Sequence, residues 1–255
     1  MNPAPSTETC YIATRPDGVI PASAAAGTPV NLADHIGETI GHPNPGRRWY
    51  DDPPFSHFCL VTEPGEALDD PQQWPARLFI VEYLGIAGDG DPRFSPHQRY
   101  AHAIRVVEET NEELALGPKP RGQETLDYLN NVLPGQAAHW AQAWMDNPDR
   151  MAKAFNDWRL SSTADRARGI DAQTEAAQIA RATHRRAALN TMLRLARETA
   201  EHAARDHGAD DTAVHFAGRY ARNTITAVLF ADSLTTPSRN ALRGAGLHTD
   251  TSPTP

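Results

Sequence analysis

The sequence predicts an α+β protein, with a small N-terminal sheet domain over residues 10–116. An Ala/Arg-rich helical region follows over 121–247 and contains an antiparallel helical hairpin. Three observations carry this reading. Sixteen of the twenty-one prolines fall at or before Pro120, and proline removes a backbone donor and fixes φ, which suits strands and turns better than long helices. The stretch Gly117-Pro118-Lys119-Pro120-Arg121-Gly122 reads as a linker, and beyond it the apolar period turns helical. From Asp171 to His207 the chain then runs without proline or glycine, which predicts one long helix.

The elements follow in order. Cys10-Tyr11-Ile12-Ala13-Thr14 predicts a strand, and Arg15-Pro16-Asp17-Gly18 suits a turn into Val19-Ile20, so a hairpin is expected. Residues 41–56 carry six prolines and glycines and read as an irregular loop. The run His57-Phe58-Cys59-Leu60-Val61 predicts a short strand, and Glu66-Ala67-Leu68 a helical turn. Arg77-Leu78-Phe79-Ile80-Val81-Glu82-Tyr83 is the strongest strand, with a β-branched and aromatic centre. Gly88-Asp89-Gly90-Asp91-Pro92 reads as a turn, and residues 101–109 fit either a strand or a helix.

In the second half, Leu126, Leu129 and Leu133 share a helical face, as do Ala137, Trp140 and Trp144, then Met151, Phe155 and Trp158. Ile179, Leu189, Leu193, Ala196 and Ala200 form a narrow stripe on the long helix, close to a coiled-coil seam. Gly208 suits a helix C-terminus, and Asp210 or Asp211 an N-cap for a last helix carrying Val214, Ala217, Ala221, Ile225 and Val228. Residues 1–9 and 248–255 are expected to be disordered tails.

Composition narrows the function. The chain has 255 residues, 40% hydrophobic and 22% charged, with a formal net charge of -8. That charge opposes phosphate polyanions, so nucleic acid is not an expected partner. Lys119 and Lys153 are the only lysines. Two cysteines, Cys10 and Cys59, cannot build a disulfide scaffold or a four-thiolate zinc site. The N-terminus lacks the pattern of a signal peptide and no run spans a membrane, so a reducing cytoplasm is the expected location.

Motifs were weighed against plainer explanations. Glu108-Glu109-Thr110-Asn111-Glu112-Glu113-Leu114 invites comparison with a Nudix box, but the upstream Gly and Glu and the Arg-Glu pair are not at the required offsets; an acidic, solvated helix start is expected instead. His202, His207, Asp211 and His215 crowd one helix turn but lack a metal-binding arrangement, so no metal is expected. Arg181, His184, Arg185 and Arg186 form a basic patch best read as a solvated, salt-bridged face. Gly-x-Gly-x-x-Gly, P-loop, nucleophile-elbow and Cys-x-x-Cys patterns are all missing from the sequence.

One stretch carries a resemblance. Ser56-His57-Phe58-Cys59, a Pro-Gly-Glu-Ala-Leu segment, and Trp74 through Gly85 together resemble a family of uncharacterised bacterial and phage proteins. Its shared pattern is a Gly-Phe-His-x-Cys element, a short helix, and a strand ending Val-Glu-x-x-Gly. His57, Cys59, Val81, Glu82 and Gly85 match, while Phe55 and Ser56 stand in place of the Gly-Phe pair. The opening residues 11–18 look like actinobacterial members, so the resemblance covers about 10–116.

The same block is more distantly similar to ADP-ribosyltransferase-type folds. That resemblance implies NAD bound in a split sheet, an orienting Arg15, a middle-block Ser56 or His57, and a catalytic Glu82, Glu108 or Glu109. The glutamate would stabilise an oxocarbenium-like centre as nicotinamide leaves. Two functions are therefore expected: a non-catalytic interaction protein without a cofactor, binding a protein partner or its own copy through the helical half, or an NAD-using transferase-like enzyme.

Overall fold

The structure, a computed structural model, describes residues 8–45, 56–68, 74–90, 96–169 and 171–244. It is α+β, and the chain divides into two compact units: residues 1–118 with 184–191, and residues 119–183 with 192–255. Among the described residues no helix is long and apolar enough to cross a membrane. The expected tails fall outside the described residues, except that Glu8 accepts hydrogen bonds from Arg99 and Tyr83. Residues 46–55 of the expected loop, and Asp91-Pro92 of the expected turn, also lie outside them.

The first unit is an antiparallel sheet of β1 (Cys10–Thr14), β2 (Thr39–Gly41), β3 (Phe58–Val61), β4 (Arg77–Asp89) and β5 (Gln98–Thr110). Strand β1 pairs with both β3 and β4, and β5 also pairs with both, so these four strands close on themselves as a small barrel. Strand β2 continues along the edge of β5. A register shift between Ile80 and Val81 marks a bulge in the long β4–β5 hairpin, and bulges bend strands toward closure. The interior is filled by Ile12, Leu32, Phe58, Leu60, Phe79, Val81, Ile104 and Val106. Along β1, β3 and β4 the inward residues alternate, as the pleat requires.

Two expectations change here, and one open alternative is resolved. The turn at residues 15–18 forms, with Gly18 N–H donating to the Arg15 carbonyl, but Val19 bridges Asn31 rather than returning beside β1. Pro21 opens helix α1 (Pro21–Ala25), and both edges of β1 are taken by distant strands. Residues 101–109 are strand. The acidic run is not a helix start at Glu108: Glu108 and Glu109 end β5, and α2 (Glu113–Leu116) begins later.

The second unit contains α3 (Arg121–Asp127), a π-helical turn (Tyr128–Val132), α4 (Leu133–Asp146), α5 (Pro148–Ala167), α6 (Ala172–Ala182), α7 (Arg186–Asp206) from Met192 onward, α8 (Asp211–Leu229) and α9 (Thr236–Arg243). Helix α8 is central, packing on α3, α4 and α9. Trp144 and Met151 pack with Ala213, and Phe155 and Trp158 with Tyr220, so these tryptophans are core. The helical hairpin is formed by α7 and α8. Gly208 has φ of 75°, a conformation that suits glycine, and Asp210 caps Ala213 N–H. A Cβ at Gly218 would stand 2.9 Å from Glu201 Cγ, which shows how closely the two helices approach. Of the expected stripe, Leu189, Ala196 and Ala200 are buried and Ile179 and Leu193 half-buried.

The long helix expected over 171–207 is broken. Residues 183–185 separate α6 from α7, and His184 takes a left-handed φ of 50°. Arg185, expected on a solvated basic face, is buried and donates to the Leu116 carbonyl at 3.0 Å. Beside it, Arg186 N–H donates to Glu66 Oε1 at 3.1 Å and the Thr191 hydroxyl to the Leu68 carbonyl at 2.9 Å. These bonds hold residues 184–191 to the sheet unit.

Candidate functional site

A cavity of about 380 Å³ lies in the first unit, within the range of small-molecule sites. It is built by strand alternation. His57, just before β3, and Cys59 and Val61 on it alternate with the core residues Phe58 and Leu60, and Phe58 borders the cavity as well. Cys59 pairs with Tyr100 and Val61 with Gln98 across β5, while Tyr11 of β1 pairs with Val61. All of these line the cavity, and residues 20–23 at the start of α1 form another wall. Along β3 the cavity extends from His57 past Val61 to Glu66 on the 3-10 turn Pro64–Glu66.

Histidines mark the His57 side. The His57 ring stacks on His102 with centroids 4.4 Å apart, and its Nδ1 lies 2.8 Å from Ser56 Oγ. His42 accepts from Asn44 N–H through Nδ1 at 3.1 Å and meets the Phe58 ring edge-on at 5.0 Å. Among the described residues, no three His, Cys, Asp or Glu side chains are grouped to hold a metal ion.

The tyrosines stay uncharged. Burial raises the Tyr11 phenol, and the Glu63 carboxylate raises it further; burial raises Tyr100 too, with Cys59 beside it. Among the described lining residues Glu66 is the one carboxylate, and none is a lysine or arginine.

Of the residues expected for NAD chemistry, His57 lines the cavity and Ser56 bonds to it. The others lie elsewhere. Arg15 sits on the exposed turn, paired with Asp17. Glu82 lies on β4, 3.5 Å from Arg105 on the neighbouring strand. Glu108 is exposed near the end of β5, opposite Ile80. Glu109 takes two hydrogen bonds from Arg77, at 2.7 and 2.6 Å, and this guanidinium holds its carboxyl below the usual range. Arg15, Glu82, Glu108 and Glu109 are not in the cavity lining.

The residues that sequence reasoning did not single out are Tyr11, Ser23, His42, Glu66, Gln98 and Tyr100. A signal existed for Gln98 and Tyr100, which alternate with Arg99 and Ala101 as His57 and Cys59 alternate with Phe58 and Leu60. Nothing local marks Glu66, which reaches the site through a turn. No protein-family model, curated protein or solved structure matches this chain.

Proposed function

We propose that this chain is a non-catalytic interaction protein, of the bacterial and phage kind it resembles. In this reading the sheet unit binds a small molecule in its cavity. The observation that carries it is the composition of the lining: among its described residues two tyrosines, two histidines and an apolar wall accompany a single carboxylate, with no lysine or arginine. Glycosyl transfer from NAD needs a carboxylate at the reacting centre and cationic groups for the diphosphate. Glu66 already accepts a backbone hydrogen bond from Arg186. The helical unit is the part assigned to a protein partner; its exposed Val132, Met145 and Leu160 support that assignment. Cys10 and Cys59 form no disulfide, which suits a reducing cytoplasm.

His57 in the cavity wall is the observation that favours a second reading, the NAD-using transferase. Thermal melting and nicotinamide release in millimolar NAD separate the two. The interaction reading expects no shift and no release. Stabilisation lost in Arg15→Ala, with turnover lost in Glu82→Gln, Glu108→Gln or Glu109→Gln, would establish the transferase instead.

A further inference from the structure

We propose that the cavity of the first unit takes an organic cation: an amine or quaternary ammonium group carried on a small apolar body. This rests on reading the cavity as a binding site, and it names the chemistry of what is bound.

Charge is the first argument. Glu66 supplies a negative charge at one side of the cavity, and among the described lining residues there is no lysine or arginine to balance it. The carboxylate is fixed, because its Oε1 accepts the Arg186 backbone N–H at 3.1 Å. A carboxylate already held in place meets a ligand without the cost of ordering a mobile side chain. An anion would meet this carboxylate with no cationic partner, and a buried charge without a partner is strongly disfavoured.

Rings are the second argument. Tyr11, Phe58 and Tyr100 line the same space, and aromatic faces attract cations through their quadrupoles, more strongly where water is excluded. Both phenols are neutral, burial raising them above their ordinary value, and the Tyr100 hydroxyl donates to Gln98 Oε1 at 3.0 Å, so the tyrosines contribute uncharged rings. The Glu63 carboxylate that helps raise Tyr11 adds negative potential on that side. Ile20, Pro21 and Ala22 complete an apolar wall for the body of the ligand.

Calorimetric titration of the full chain tests this with choline and with 3,3-dimethylbutan-1-ol, which has the same shape with carbon in place of the charged nitrogen. Choline is expected to bind about tenfold more tightly than the alcohol, as desolvated cation–ring contacts allow. Glu66→Gln keeps an oxygen for the Arg186 N–H and removes the charge, so it should bring choline down toward the alcohol. Tyr100→Leu should weaken choline several-fold where Tyr100→Phe, which keeps the ring, does not. Unchanged circular dichroism and melting of each variant confirm that it is folded. Equal affinity for choline and the alcohol would overturn the cation assignment while leaving a binding cavity. No binding of either at tens of millimolar would overturn it as well, and the cavity reading then stands or falls on whether other phosphate-free molecules bind there.

Discussion

At the scale of single residues, the pleat explains why the His-x-Cys element works as a unit. Spacing of two turns His57, just before β3, and Cys59 the same way, toward the cavity, while Phe58 between them is part of the core at 3% exposure and reaches the cavity as well. Cys10 shows the opposite fate. It faces the interior, fully buried, and burial with the nearby Glu8 carboxylate pushes its thiol up to about 12. A thiol reacts as its thiolate, so the two cysteines should differ sharply. Titration of the native protein with a thiol-reactive disulfide is expected to modify one cysteine, Cys59 by peptide mapping, and Cys10 only after unfolding. Prompt reaction of both would show that the Cys10 side of the barrel is open.

At the scale of elements, strands and caps were legible because local rules decide them. The apolar run at Arg77 became β4, and Asp210 caps α8 as its position suggests. The break between α6 and α7 was not legible. No proline or glycine marks it, and the residues that hold it lie far off in sequence: Leu116, Leu68 and Glu66 each bond to residues 185–191. Tertiary hydrogen bonds outweigh helix propensity there. The candidate site was half visible for the same reason, since its strand residues follow an alternation but Glu66 reaches it by packing. Gly65 next to it is pressed against the His184 carbonyl and Arg185, leaving no room for a Cβ.

His184 makes this break testable. At a φ of 50°, a β-branched side chain is penalised and glycine is not. His184→Val is expected to be less stable to urea than His184→Gly by about 1 kcal/mol. Both lose the ring contact with His97 at 4.1 Å, so the difference isolates the backbone. Equal stability of the two variants would show that residue 184 is not held in the left-handed conformation.

At the scale of the whole molecule, the account divides the labour between two units. The sheet unit closes four strands around an apolar interior and keeps its cavity on the other face of β3. In the helical unit Ala196, Ala200 and Ala204 are fully buried, and a Cβ at Gly218 would stand 2.9 Å from Glu201 Cγ. Of the residues expected to act on NAD, His57 lines the cavity, while Arg15, Glu82 and Glu109 lie on an exposed turn and the β4–β5 hairpin, each paired with a neighbour of opposite charge. The cavity is the candidate site of the sheet unit.

Blocking that cavity tests the claim most directly. Ala22 lines it from α1 and is partly exposed, so Ala22→Trp should fill the space without disturbing the barrel interior. Thermal melting of the wild type and this variant would be followed with choline, tryptamine and NAD, each at millimolar concentration. A ligand that binds only the native state raises its melting temperature. The account predicts that choline or tryptamine stabilises the wild type, that neither stabilises Ala22→Trp, and that NAD stabilises neither protein. Stabilisation by NAD in the wild type, or equal stabilisation of both proteins by the amines, would contradict it.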